Sequence, residues 1–304
     1  MLQKVHPQAR RKDRVFDSAA VTKPRLLMCE PKHFAVSYSI NPWMDPANWA
    51  SDAHAIAVAQ WAALQKALGQ AGAAIEPVVP QPGLPDLVFT ANAAVVHDGT
   101  ALLARFRHPE RQGEEPVFAA AFEALRERGL IERIVTLPDG VVMEGAGDCL
   151  FDEARNLFWM GFGQRSERRA ADAVEATFGL PVVPLQLADP RFYHLDTAFC
   201  PLPSGDVIYH ADALTDEGRM AIAVRVPEGK RIVLSDAEAR EFSANAECIG
   251  HTIVMSRCSD ALRKRLARRG YDVSATPLDT FRQSGGSAAC LTLRLDRRSS
   301  PRST

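Results

Sequence analysis

The sequence predicts an α/β fold, a closed propeller-like ring of five repeated strand–strand–helix–strand units, and three observations predict it. First, one pattern recurs along the chain: a small or polar residue, a short apolar strand, a turn signal and a second apolar strand. Second, the copies register on Asn92, Asp148, Asp196, Asn245 and Cys290, which stand 45 to 56 residues apart, in the range of repeat architectures. Third, amphipathic stretches with helical spacing separate the copies, and most end in glycine as a capped helix should.

Taken in order, "RLLMCEP" reads as a strand and "AHAIAVAQWAALQKALGQAG" as a helix. "TANAAVVHDGTALLARF" is the first complete copy, with its Asp-Gly pair at the turn, and "EPVFAAAFEALRERG" is the helix after it. "GAGDCLFDEARNLFWMGF" and "RRAADAVEATFG" repeat the arrangement. "HLDTAFCPLPSGDVIYH" is the third copy, turning at "PSGD", and "DEGRMAIAVRVP" is the least amphipathic of the helices. "SANAECIGHTIVMSR" and "SDALRKRLARRG" form the fourth unit. The fifth is split: "SGGSAACLTLRL" supplies one strand and the early "RLLMCEP" its partner, which closes the ring end to end.

A chain of 304 residues with 46% hydrophobic content can bury a large core, and a formal net charge of -1 gives no attraction for polyanions. Nucleic acid is therefore not an expected partner. No apolar run has the length of a membrane span and the start lacks a secretory pattern, so a cytoplasmic protein is expected. The cysteines at 29, 149, 200, 248, 258 and 290 show no CxxC spacing, which argues against zinc and against a disulfide framework. Residues 1–23 are basic and aperiodic and residues 297–304 are rich in charge, serine and proline, so a single domain over 24–296 between two flexible tails is expected.

Equivalent positions in a ring of repeats converge on its axis. Asn92, Glu144, Asp148, His194, Asp196, Asn245 and Cys290 would then share one cavity. A free cysteine in an apolar segment is ordinarily an inert core residue, and buried polar groups can simply line a structural channel. A thiol, an imidazole and carboxylates in one concave site are, however, the groups that covalent attack on a cationic carbon needs.

The blocks "INPWM", "LPDLVFTANAAVV", "RFRHPERQGEEP", "MEGAGDCLFD", "FYHLDTAFCPL" and "SGGSAACLTLRL", in this order, resemble the guanidino-group-modifying superfamily of amidinotransferases, arginine deiminases and dimethylarginine dimethylaminohydrolases. The match runs from about Arg25 to about Leu295 and is most similar to the arginine dihydrolase branch. It implies the pentein fold, a five-bladed α/β propeller. It also implies roles: Cys290 as nucleophile, His194 as general acid and base, and Glu144 as the acid that orients His194 and pairs with the guanidinium. Asp196, two residues past His194 on the same strand face, fits a second guanidinium carboxylate. Arg111 and Arg165 match arginines that hold the substrate's α-carboxylate, Asp86 and Phe89 match its wall, and Asn41 belongs to an amino-terminal cover. Asp148 is expected to hold the "EGAGD" turn, and Cys149, Cys200, Cys248 and Cys258 to be core.

Asn92 separates branches of the superfamily, because the deiminases and dimethylarginine hydrolases carry aspartate there. An amide can donate or accept, so it can hold both a cationic guanidinium and the neutral ureido product. The resemblance thus implies hydrolysis of L-arginine through citrulline to ornithine, two ammonia molecules and carbon dioxide, with the small guanidino substrate as the expected partner. A deiminase or dimethylarginine hydrolase stopping at citrulline, an amidinotransferase, and a non-catalytic ribosome-binding propeller protein are the alternatives. No metal or organic cofactor is expected, since a thiolate and a histidine suffice for this chemistry. Assembly as a homo-oligomer is left open.

Overall fold

A computed structural model describes residues 23–299 of the protein. The expected amino-terminal tail lies outside the described residues except for Lys23, and so does the end of the chain beyond residue 299. In chain order the elements are β1 (Arg25–Cys29), α1 (Ala53–Gln70), β2 (Ala74–Val78), β3 (Ala94–His97), β4 (Thr100–Leu103), α2 (Glu114–Glu127) and β5 (Arg133–Val135). There follow β6 (Cys149–Asp152), β7 (Leu157–Phe162), α3 (Ala170–Phe178), β8 (Val182–Gln186), β9 (Phe199–Pro201), β10 (Val207–Tyr209), α4 (Asp216–Arg225) and β11 (Arg231–Val233). The last are β12 (Glu247–Ile249), β13 (Thr252–Met255), α5 (Asp260–Ala267), β14 (Asp272–Ala275) and β15 (Leu293–Arg294). Short helical turns join several of them.

The strands form five three-stranded sheets of one topology: β3-β4-β5, β6-β7-β8, β9-β10-β11, β12-β13-β14 and β15-β1-β2. In each, the middle strand runs antiparallel to its first neighbour and parallel to its second. A tight turn suffices for the antiparallel step, whereas the parallel step needs a crossover, and the amphipathic stretches supply it as helices. The weakly amphipathic fourth stretch folds as α4 like the rest.

Local chemistry fixes these elements. Asp98 and Gly99 both take positive φ (46° and 70°) in the β3–β4 hairpin, the backbone that an Asp-Gly pair tolerates best. Thr215 and Ser259 cap α4 and α5 by accepting from the amides of Gly218 and Leu262, and Gly179 ends α3 in the left-handed region (φ 66°). The fifth sheet unites the two ends of the domain, with Leu26 opposite Arg294 and Leu27 opposite Leu293. Leu27 and Leu293 bury together with Val78, Leu87, Phe106 and Phe118, so the seam is sealed by apolar packing as well as by the ladder. First strands of neighbouring units meet, β6 against β9 and β15 against β3, which brings the segments that precede them together.

Candidate active site

The polar residues that precede the first strands are buried and form two hydrogen-bonded sets, one around Glu144 and one around Cys290. Glu144 stands just before the helical turn Gly145–Asp148, and its Oε2 pairs with His194 Nε2 at 2.7 Å and accepts from Arg165 Nη1 at 2.9 Å. Its Oε1 accepts from the Arg107 amide at 3.1 Å. Beneath it, Ser166 Oγ donates to Asp148 Oδ2 (2.6 Å) and accepts from the Glu144 amide (3.0 Å), while Asp148 Oδ1 accepts from the Leu195 amide (3.0 Å). Asp148 therefore ties the Glu144 turn to the His194 turn, as its expected structural role requires. Gly147 makes that approach possible, because a Cβ there would collide with Asn92 Nδ2 and press within 3.3 Å of the His194 ring.

Cys290 lies in the turn before β15. Its thiol donates to Asp196 Oδ2 at 3.2 Å and Sγ accepts from Asn245 Nδ2 at 3.0 Å. The Cys290 amide donates to Asn245 Oδ1 at 3.2 Å, so Asn245 grips the cysteine at both ends. The sulfur thus faces polar groups, although its neighbours in the chain join the apolar cluster around Phe89 and Phe281. Asp196 departs from the expected geometry. His194 is extended, but Leu195–Thr197 is a 3-10 turn, so Asp196 does not share a strand face with His194: one side chain points to Glu144 and the other to the thiol.

The two arginines are buried within the Glu144 set. Arg111 forks onto Glu114 (2.9 and 2.7 Å) and also donates to Asn92 Oδ1 (2.8 Å) and to the Asp86 carbonyl (3.2 Å), which engages four of its five donors. Arg165 donates to Glu144 and to the Ile40 carbonyl (3.0 Å) and lies 4.7 Å over the Tyr193 ring, leaving donors for an incoming group. Asn92 is fixed by both neighbours: Oδ1 takes Arg111, and Nδ2 donates to the Glu144 carbonyl at 3.3 Å. Asp86 accepts from the Tyr38 hydroxyl at 2.8 Å while its Oδ1 is buried without a partner, and Phe89 packs against Phe34 and Phe281. The segment that carries Asn41 lies across the site, where Asn41 Nδ2 donates to the Ser284 carbonyl (3.0 Å) and Trp43 Nε1 to the Arg191 carbonyl (2.6 Å).

Of the ten residues expected from the sequence, Glu144, His194, Arg165, Asn92 and Arg111 share one set of hydrogen bonds, Cys290 and Asp196 join through Asn245 in another, and Asp86, Phe89 and Asn41 pack around them. Sequence reasoning assigned no role to Glu114, Ser166, Tyr38 or Tyr193. Of these only Glu114 carried a local signal, an acid three residues past Arg111 at helical spacing; the others join through contacts distant in sequence.

Charge in the site is uneven. Burial would raise the Glu144 carboxyl, but Arg165 and His194 overcome it and hold Glu144 well below the usual carboxylate range. Burial, followed by the Asp196 charge, pushes the Cys290 thiol well above its ordinary value, so the resting sulfur is protonated. Burial raises Asp196 to about 7 and Glu114 to about 7, in the second case against the pull of Arg111. The region combines a neutral thiol, a charged Glu144 beside His194, and Asp196, whose Oδ2 takes the thiol and whose Oδ1 is buried without a partner. Among the described residues no group of three His, Cys, Asp or Glu side chains is placed to hold a metal, and no helix is long and apolar enough to cross a membrane.

A thiol, an imidazole and buried acids set on five like α/β units are the parts of a guanidino-group-modifying enzyme. A family model described as N,N dimethylarginine dimethylhydrolase, eukaryotic, matches residues 30–297. The chain is 42% identical over 271 residues to the bifunctional arginine dihydrolase/ornithine cyclodeaminase ArgZ of Synechocystis sp., an alignment covering 89% of this chain and 37% of that protein. It is 35% identical over 271 residues to the N(G),N(G)-dimethylarginine dimethylaminohydrolase of Mycobacterium tuberculosis, covering 89% and 85%. Among solved structures, the product-bound amino-terminal domain of ArgZ, a cyanobacterial arginine dihydrolase, superposes with a TM-score of 0.87 at 41% identity and covers 92% of this chain and 100% of that one. The chain belongs to the dimethylarginine dimethylaminohydrolase family. It spans under two fifths of the length of its bifunctional relatives.

Proposed function

We propose that the protein is an arginine dihydrolase, in which one domain over residues 24–296 sets its five units around a common axis as propeller blades and opens the site on that axis. The relatives above support the substrate class. Asn92 is the observation that carries the reading: its amide accepts from Arg111 and donates to the Glu144 carbonyl, a pairing that an aspartate would break by setting one oxygen against another. An uncharged residue there does not favour the cationic substrate over the neutral ureido product, so citrulline can be held for a second attack.

In the proposed reaction the guanidinium sits beside Asp196 and Glu144, and its positive charge favours the thiolate, the Cys290 proton passing to His194. The thiolate attacks the guanidinium carbon, His194 protonates the departing nitrogen, and ammonia leaves a thiouronium adduct. His194, held by Glu144, then takes a proton from water as that water attacks the adduct, which frees the thiolate and citrulline. A second round on citrulline expels the second ammonia, and hydrolysis of the resulting thiocarbamate gives a carbamate that loses carbon dioxide to form ornithine. Arg165, with donors to spare, is the fork for the substrate's carboxylate, assisted by the one free donor of Arg111, whose others hold Glu114, Asn92 and the Asp86 carbonyl. Phe89 and Asp86 form the wall, and Asn41 latches the cover.

Incubation with arginine, followed by mass spectrometry, tests this. Ornithine with two equivalents of ammonia is expected, and citrulline as sole end product overturns the dihydrolase reading in favour of a deiminase. Release of dimethylamine from dimethylarginine at a higher kcat/KM than ammonia from arginine instead favours the activity named for the Mycobacterium tuberculosis relative.

A further inference from the structure

The dihydrolase reading sets a traffic problem. Each arginine consumed needs two waters in and two ammonia molecules and one carbon dioxide out, while citrulline must stay in place between rounds. On the side of Asn41 the site is strapped shut, through Arg165 to the Ile40 carbonyl, Asn41 to the Ser284 carbonyl and Trp43 to the Arg191 carbonyl. Opening that strap for every ammonia would release citrulline with it.

Asp196, which takes the Cys290 thiol, also lines a second space. Two small cavities, of about 80 and 70 Å³, share Leu150, Phe151, Asp196, Glu247, Ala289 and Arg297 in their walls. Their inner end is Asp196, whose Oδ2 takes the Cys290 thiol and whose Oδ1 is buried without any partner. Their flanks include Ala91, Ala146, Ala244 and Ala289, each one or two residues before the registered residue of its unit. Small side chains at four equivalent positions keep a bore where larger ones would have buried more apolar surface. Their outer end carries Glu247 and the half-buried Arg294 and Arg297, with Arg294 Nη1 donating to Glu247 Oε1 at 3.1 Å. Each cavity holds a few molecules the size of water or ammonia and nothing the size of citrulline.

We infer that this bore is a rear passage through which water reaches the adduct and ammonia leaves, with Asp196 as the acceptor that receives them at its inner end, while the front strap retains citrulline. The inference rests on the dihydrolase reading and deepens it. The passage moves no bond: ammonia, expelled once His194 has protonated the departing nitrogen, exits, and one water replaces it.

Bulk placed in the bore away from the reacting groups tests it. Ammonia release from arginine by the unaltered protein is measured first, and its absence overturns the activity and the passage together. Given turnover, Leu150→Trp and Arg297→Trp are compared with Leu150→Ala. The expected result is a kcat at least fivefold lower in both tryptophan variants, KM within twofold, and Leu150→Ala at the normal rate. A further signature is a growing penalty as the leaving group is enlarged from ammonia to methylamine with N-methylarginine. Thermal melts check folding, and Leu150→Phe replaces Leu150→Trp should the latter not fold. Folded variants with unchanged kcat, or a loss independent of leaving-group size, overturn the passage and leave the dihydrolase activity standing.

Discussion

Burial, and after it the Asp196 carboxylate, sets the ionisation of Cys290, and that sets how the thiol responds to pH. The buried thiol next to an acid is held well above its ordinary value, so a neutral alkylating reagent should label Cys290 slowly at pH 8 and faster as pH rises further. Asp196→Asn removes the like charge and lowers the thiol's value, so labelling at pH 8 should speed up severalfold; an unchanged rate measured by mass spectrometry would count against this coupling. Cys290→Ser should lose ammonia release by at least a thousandfold with an unaltered thermal melt. Asn92→Asp should raise the citrulline-to-ornithine ratio at least tenfold, read from product profiles. At this scale the sequence revealed which side chains lie near one another, since polar residues and a cysteine stand at like places in successive repeats. It did not reveal which of them touch. Strand alternation put Asp196 beside His194, and a three-residue turn aims it at the thiol. Asn245 stood in the converging set without a role, and it is the side chain that grips Cys290.

The short elements around the site are held by close approach more than by intrinsic propensity. The Gly145–Asp148 turn touches both Asn92 and His194, and backbone atoms of Ala91 and Asn92 crowd its first residue. Gly147→Ala should therefore reduce kcat by about a hundredfold, because Asn92 and His194 must move to admit a methyl group, while circular dichroism stays native. The strap is a separate element with its own signature. Trp43 anchors it through the Arg191 carbonyl and by packing 4.8 Å from the Phe242 ring, so Trp43→Ala should raise KM at least fivefold in steady-state kinetics. Both segments were legible as short motifs, "EGAGD" and "INPWM", and the hairpins and helices were legible from turn chemistry and period. The contacts of Tyr38, Ser166 and Tyr193 were not, because each joins segments far apart in sequence.

For the molecule as a whole the decisive joint is the sheet that pairs β15 with β1. The pairing of the last strand with the first was foreseen from an orphan half-unit at each end of the domain, and the Leu26–Arg294 and Leu27–Leu293 register realises it. Leu293→Ala should lower stability by about 3 kcal/mol, the range for an apolar truncation in a packed core, checked by urea unfolding. Family membership followed from blocks spread over nearly the whole length, which local propensity alone does not supply. The joint also orders events in time. Cys290 sits three residues before β15, so the sulfur has no fixed place until that strand docks onto one made long before it. On the proposed role of Cys290, a nascent chain still lacking its last strand on the ribosome is thus chemically mute, and the sulfur is put in place by the same step that completes the fold.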